Sequence, residues 1–225
     1  MKCNRSPSKN IHYILENFSL PLGERAEKLK TVTLNKHSRT IYSFFKYFKT
    51  RLLYKASPEE KIKTQYILDL KNQSSRAIDE FKECIIESIE NTWMEPQKGV
   101  IKAGDICLLR VPSSQAQTKS GLDFLNKEIC NEKGYINGSD IIIRHMSRPR
   151  KHLTPGPRTP CLDFDTLGIS DHMIEATKHC KVFLILDDVV VSGYSLLVCS
   201  YYLSKSKYAR KTHLLALGRN QSDYD

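Results

Sequence analysis

The sequence predicts an α/β fold, a parallel sheet flanked by helices, with a helical region in front of it. Three observations predict this. Past Gly104, short apolar runs alternate with segments of helical period, the pattern of a parallel sheet covered on both faces. The apolar runs are continuous, with no polar residue at every second position, as in strands buried on both sides. Before residue 100 the apolar residues recur at helical spacing.

The first 35 residues show no clear period and are left unassigned. From Ser38, a suitable N-cap, Ile41, Phe45, Phe48 and Leu52 recur at helical spacing, and Phe44 and Tyr47 broaden the stripe. Ser57-Pro58-Glu59-Glu60 reads as a second helix start, with a cap, a proline at the first position and acids in the first turn. A third helix is expected from about Ser74, with Ile78, Phe81, Ile85 and Ile89 on one face, ending near Trp93. Asp105 to Val111 reads as a buried strand, and Leu122, Leu125 and Ile129 mark a helix ending near Gly134. Asp140 to Ile143 is expected as the next strand. The proline-rich, basic stretch from His145 to about Ser170 reads as a loop, and Asp171 to Cys180 holds a short helix. Lys181 to Leu186 is the strongest strand; Gly193 to Lys205 is a helix, and Thr212 to Leu217 a last strand. The chain therefore divides into a helical accessory region, 1–100, and an α/β core, 101–225.

Composition limits the function. The chain has 225 residues, enough to bury a sizeable core. No apolar run is long enough to span a bilayer, and the polar start lacks a secretory signal, so a cytoplasmic location without membrane contact is expected. The seven cysteines are scattered and form no C-x-x-C, which points to free thiols rather than disulfides or zinc. The seven histidines have no metal-ligand spacing. A net charge of +10 attracts polyanions, whether nucleic acid or phosphorylated small molecules. Basic residues outnumber the acids Glu59 and Glu60 between residues 28 and 63, but the aromatics there stand at core spacing.

The chemistry concentrates in Phe183-Leu184-Ile185-Leu186-Asp187-Asp188-Val189-Val190-Val191-Ser192-Gly193-Tyr194-Ser195. A buried strand ends in two carboxylates, and a small loop then leads into a helix. In a parallel α/β sheet, ligands bind beyond the carboxyl ends of the strands. The backbone amides and hydroxyls of Ser192 and Ser195 at a helix start make a phosphate cradle, and Gly193 permits close approach. The same serines also suit plain helix capping. The carboxylates suit ribose hydroxyls or a Mg²⁺ held with them. Phosphate beside a sugar diol describes a ribose 5-phosphate pocket.

This run resembles the motif by which type I phosphoribosyltransferases bind phosphoribosyl pyrophosphate (PRPP): apolar residues, two acids, two aliphatics, then a small-residue loop with a central glycine. The resemblance implies that Asp187 and Asp188 face the ribose hydroxyls and Mg²⁺, and that Val191, Ser192, Gly193, Tyr194 and Ser195 wrap the 5-phosphate. Arg110-Val111-Pro112-Ser113-Ser114-Gln115 is similar to the pyrophosphate loop of ComF-like members, which implies a pyrophosphate role for Pro112, Ser113 and Ser114. The segment from Arg144 to Ser170 matches their mobile basic loop, with Arg148, Arg150, Lys151 and Arg158 as pyrophosphate partners, Arg158 among the catalytic residues, and Gly156 as hinge. The resemblance spans roughly Gly104 to Gly218. Residues 1–100 fall where some members carry a base-selecting hood, and many members are homodimers. Where the family commonly has T-T-G-x-T or D-T-G-x-T, this chain has V-S-G-Y-S: Val191 lacks a hydroxyl or carboxylate, and Tyr194 is bulky. Cradling phosphate with backbone amides survives both changes. The implied activity is transfer of ribosyl 5-phosphate from Mg-PRPP to a nitrogen acceptor. The alternative is a non-catalytic sensor of PRPP or a nucleotide whose basic N-terminal region engages nucleic acid or a protein.

Overall fold

The computed structural model describes residues 15–16, 27–34, 37–93, 101–148, 160–206 and 211–221. In chain order the elements are β1 (Leu15–Glu16), β2 (Glu27–Leu34), β3 (His37–Tyr47), α1 (Pro58–Lys71), α2 (Ser75–Trp93), β4 (Ile106–Arg110), α3 (Gly121–Lys133), β5 (Ile136–Asn137), β6 (Ile142–Arg144), α4 (Pro160–Thr166), β7 (Leu167–Ile169), α5 (Asp171–Ala176), β8 (Val182–Val190), α6 (Tyr194–Lys205) and β9 (Thr212–Asn220). The main sheet has seven strands in the order β1-β2-β3-β9-β8-β4-β5. Its neighbours from β3 to β5 are parallel, and β1 and β2 extend it antiparallel. The α/β expectation, a largely parallel sheet flanked by helices, is met.

The two faces of the sheet are covered separately. Ile106 and Leu108 of β4 and Val182, Leu184 and Leu186 of β8 pack with α1, α2 and α3. The alternate residues, Cys107, Leu109, Phe183 and Ile185, pack with α6, α5 and the β6–β7 ribbon. This strict alternation follows from the two-residue period of a strand. It explains why β4 is buried throughout: each of its side chains finds a helix on one face or the other. Each large side chain so buried contributes about 1.5–3 kcal/mol of transfer free energy. Among the described residues no helix is long and apolar enough to cross a membrane.

Several expectations are corrected. Residues 38–47, read as helical, form most of β3, and Ser38 pairs with Thr33 instead of capping a helix. Thr40, Ile41, Tyr42, Phe44, Phe45 and Tyr47 are β-branched or aromatic, types that suit a pleated surface, and pairing with β9 decides the outcome. Ile41 and Phe44 accordingly face opposite sides of the sheet. The first hundred residues are thus not all helical. β3 is hydrogen-bonded into the main sheet, and α1 and α2 share one core with β4 and β8. The helices expected after Ser57 and Ser74 are present as α1 and α2, and Ser57 and Glu60 close a capping box.

The strand expected at 140–143 is displaced. The partner of β4 is β5, and the chain then turns away at Gly138, where Ile141 N donates to the Gly138 carbonyl at 3.0 Å. A Cβ on Gly138 would lie 2.5 Å from Cys107 Sγ, so this close departure from the sheet requires glycine. Ile142–Arg144 instead pairs antiparallel with β7 in a separate ribbon. The stretch expected to be a loop up to Ser170 therefore contains α4 and β7. Finally, β8 does not end at the acid pair: it continues through Val190 beside β9.

Candidate functional site

The connections after β4 and β8 diverge. From β4 the chain crosses through α3 to β5, away from β8; from β8 it crosses through α6 to β9, away from β4. α3 and α6 consequently cover opposite faces. Where neighbouring parallel strands part in this way, their carboxyl ends leave a crevice. The last β4–β8 pair is Arg110 with Leu186, followed by a bond from Val111 N to the Leu186 carbonyl at 2.7 Å. Beyond it, Asp187 to Val190 follow β9, while the chain after β4 turns off as the 111–114 loop.

Asp187 and Asp188 lie at this point, both partly buried. The Asp188 carboxylate uses Oδ1 to accept from Val189 N at 2.7 Å, and Oδ2 to face Lys71 Nζ at 3.0 Å. Asp187 Oδ1 accepts from Asp188 N at 3.0 Å. Burial, and then the neighbouring Asp188 charge, push the Asp187 carboxyl well above the usual carboxylate range. Burial works against the charge of Lys71, but the Asp188 charge and hydrogen bond, with smaller contributions from Tyr47 and Asp187, together raise the ammonium's pKa. Lys71 thus pairs with Asp188, and its charge also acts on Asp187. Such a pair fits added hydrogen-bond donors or a cation. Among the described residues no group of three or more His, Cys, Asp or Glu is arranged to hold a metal. A Mg²⁺ here would keep waters and take further oxygens from a ligand, as this ion ordinarily does.

The 191–195 segment joins β8 to α6. Gly193 is left-handed at φ 80°, where a side chain would be strained, and it stands at the N-cap of α6. Tyr194 N donates to Ser192 Oγ at 3.4 Å. Val191 is 40% exposed. The Tyr194 ring packs against the α6-side core, which accounts for a bulky residue at this place. Ser195 Oγ donates to Asp163 Oδ2 at 2.9 Å and lies 3.3 Å from Arg148 Nη1.

Asp163, on α4, gathers the remaining pieces. Its Oδ1 accepts from Arg148 Nη1 at 2.7 Å and from Arg144 Nη2 at 3.1 Å. Arg144 also donates from Nη1 to Thr166 Oγ1, and from Nε to the Ser113 carbonyl at 2.6 Å. Burial lowers the Arg144 pKa, opposed by the Asp163 charge. Arg148 N donates to the Ser114 carbonyl at 2.7 Å, and Ala116 N to Ser147 Oγ at 3.0 Å. The three segments singled out in the sequence, 111–114, 144–148 and 191–195, are therefore brought together. Pro112 is buried, and the Ser113 hydroxyl accepts from Gln115 N at 3.3 Å, closing the local turn.

At the end of β4, Arg110 Nε pairs with Asp123 Oδ1 at 2.5 Å, while its buried Nη1 has no protein partner. That is a spare donor at the root of the 111–114 loop. Arg150, Lys151, Gly156 and Arg158 lie outside the described residues. Sequence reasoning missed Asp163, Arg144, Arg110 and Lys71. Lys71 stood in a region read as separate from the core, and Asp163 in a stretch read as a loop. The signal available for Asp163 was Pro160 followed by an acid in the next turn, a helix start. No known protein family matches the chain, and no curated protein sequence matches it either.

Proposed function

We propose that the chain binds PRPP with Mg²⁺ and transfers ribosyl 5-phosphate to a nitrogen acceptor, releasing pyrophosphate. The observation that carries this reading is the convergence of three loops and an acid pair on the crevice between β4 and β8. In this reading the backbone of 191–195 and the first amides of α6 hold the 5-phosphate, at the positive end of the helix. Asp187 and Asp188 accept from the ribose hydroxyls. Ser113, Ser114 and the Arg110 donor receive pyrophosphate, with Arg148 between that loop and the phosphate cradle. A bound Mg²⁺ supplies charge neutralisation for the pyrophosphate. In the transfer, the bond from ribose C1 to pyrophosphate oxygen breaks and its electron pair leaves with pyrophosphate. The acceptor nitrogen's lone pair forms the new bond at C1, and its proton passes to water. Positioning and electrostatics supply the rate enhancement.

The test is calorimetric titration of PRPP and Mg²⁺ into the wild type and into Asp187→Asn/Asp188→Asn. Binding by the wild type that disappears in the variant is expected. A folded wild type that binds no PRPP overturns the proposal.

A second reading, a non-catalytic sensor of PRPP or a nucleotide, draws on Val191 and on the engagement of Ser195 Oγ with Asp163. PRPP binding without pyrophosphate release, across a panel of nitrogen acceptors, would favour it. Its nucleic-acid arm gains nothing from Phe44, Phe45 and Phe48, since Phe44 and Phe48 are buried and Phe45 lies under Lys63 Nζ at 4.8 Å. Salt-dependent nucleic-acid binding by the full chain would restore that arm.

A further inference from the structure

A residue from outside the family resemblance reaches the acid pair. Lys71 is the last residue of α1, and its ammonium takes the Asp188 oxygen, Oδ2, that Val189 N leaves free. A sugar hydroxyl or hydrated cation that takes Oδ2 competes with Lys71 for it. We propose that Lys71 is a resident counter-cation that holds Asp188 before ligand binds and is exchanged by incoming ligand. The inference rests on the ribose-phosphate reading of the site and adds to it a gate supplied by α1.

The backbone of Lys71 is fixed. The end of α1 is closed by Asn72 N to the Asp69 carbonyl at 3.0 Å, Gln73 N to Leu70 at 2.9 Å and Ser74 N to Asp69 at 3.0 Å. Gln73, at φ 62°, makes the left-handed turn that stops the helix. The first turn of α3 then presses on this end. A Cβ on Gly121 would sit 1.8 Å from the Leu70 carbonyl oxygen, so glycine alone permits the contact beside Lys71. The Lys71 side chain is 47% exposed and that of Asp188 29%. A lysine is a point charge on a flexible stem, and an exposed ion pair is held weakly. Rigid delivery and weak retention together make an exchangeable partner rather than a structural bridge.

The test measures PRPP binding by calorimetry across a series of Mg²⁺ concentrations, using the full chain as wild type, Lys71→Gln and Lys71→Arg. Removing the competing charge is expected to lower the Mg²⁺ needed for half-maximal PRPP binding by about two- to fivefold. Lys71→Arg keeps the charge and should stay near the wild type. In parallel, lysines carrying isotope-labelled methyl groups are followed by NMR, with the Lys71 signal assigned by its loss in Lys71→Arg. That signal is expected to move as PRPP and Mg²⁺ saturate the wild type. Saturation with an unmoved Lys71 signal, or an unchanged or raised Mg²⁺ requirement in Lys71→Gln, overturns the gate and leaves the ribose-phosphate reading standing. No PRPP binding by either folded protein overturns both.

Discussion

Asp163 and Asp188 both face cations, and they are built in opposite ways. The Asp163 side chain is 3% exposed and holds two arginines and a serine. Asp188 is 29% exposed and holds one lysine. Burial makes the difference. A buried carboxylate with all its partners in place is expensive to disturb, because each partner left behind is an uncompensated charge or polar group. A half-exposed pair exchanges its partner for water or ligand at little cost. The first arrangement keeps the 111–114, 144–148 and 191–195 segments in register; the second leaves the acid pair open to exchange.

The largest expected effect therefore falls on Asp163. Asp163→Ala should destabilise the protein by about 3–5 kcal/mol, measured by chemical denaturation, because it strands the Arg144 guanidinium, whose side chain is 1% exposed. Asp163→Asn, which retains an acceptor, should cost less. A loss below about 1 kcal/mol for Asp163→Ala, the ceiling for exposed pairs, would erase the distinction between the two carboxylates. Next in size is Gly121→Ala. Its methyl meets a backbone carbonyl that cannot swing aside, so a cost of about 1–3 kcal/mol is expected in the same assay.

The same contrast separates what the sequence reveals from what it hides. β4, β8, α3 and α6 are legible because their apolar patterns are local, and β8 carries its acids and glycine in one continuous run. The 191–195 loop is legible for the same reason. β3 is not: its aromatics satisfy a helical spacing as well as a strand's two faces, and only pairing with β9 chooses between them. Asp163, Arg144 and Arg148 belong to a network whose members are up to 32 residues from Ser195 for Asp163 and 47 for Arg148. No spacing rule connects them; the fold of the β6–β7 ribbon does. Lys71 is hidden likewise, since its partner lies on β8, far along the chain.

A smaller effect is expected at Asp187, and its sign can be worked out. Folding raises the proton affinity of this carboxyl, by burial and by the Asp188 charge. A group whose folded pKa is raised lends full stability below its unfolded value and loses it as pH rises through the folded one. Asp187→Asn removes a carboxyl that folding makes harder to ionise and should stabilise the ligand-free protein at neutral pH by about 1 kcal/mol, a rise in Tm of about 2–4 °C. The gain should shrink as the pH falls towards about 4, where the unfolded carboxylate also takes up its proton. Thermal melts of the two proteins across that range measure it. A gain that grows on acidification would mean that the wild-type carboxylate is stabilised by folding, contrary to its surroundings.

The smallest effect belongs to Lys71, and its smallness is informative. Lys71→Gln should change stability by about 0.5 kcal/mol or less in denaturant titration, and added salt should shrink even that, because the pair is half exposed. A cost of about 3 kcal/mol or more would place this pair in the class of the Asp163 network. Lys71 would then be a structural bridge fixing α1 to β8, too costly to exchange for a ligand. A cost near zero, together with a lowered Mg²⁺ requirement for PRPP, is the combination expected of an exchangeable counter-cation, since a bridge that stabilises the fold cannot be removed without loss.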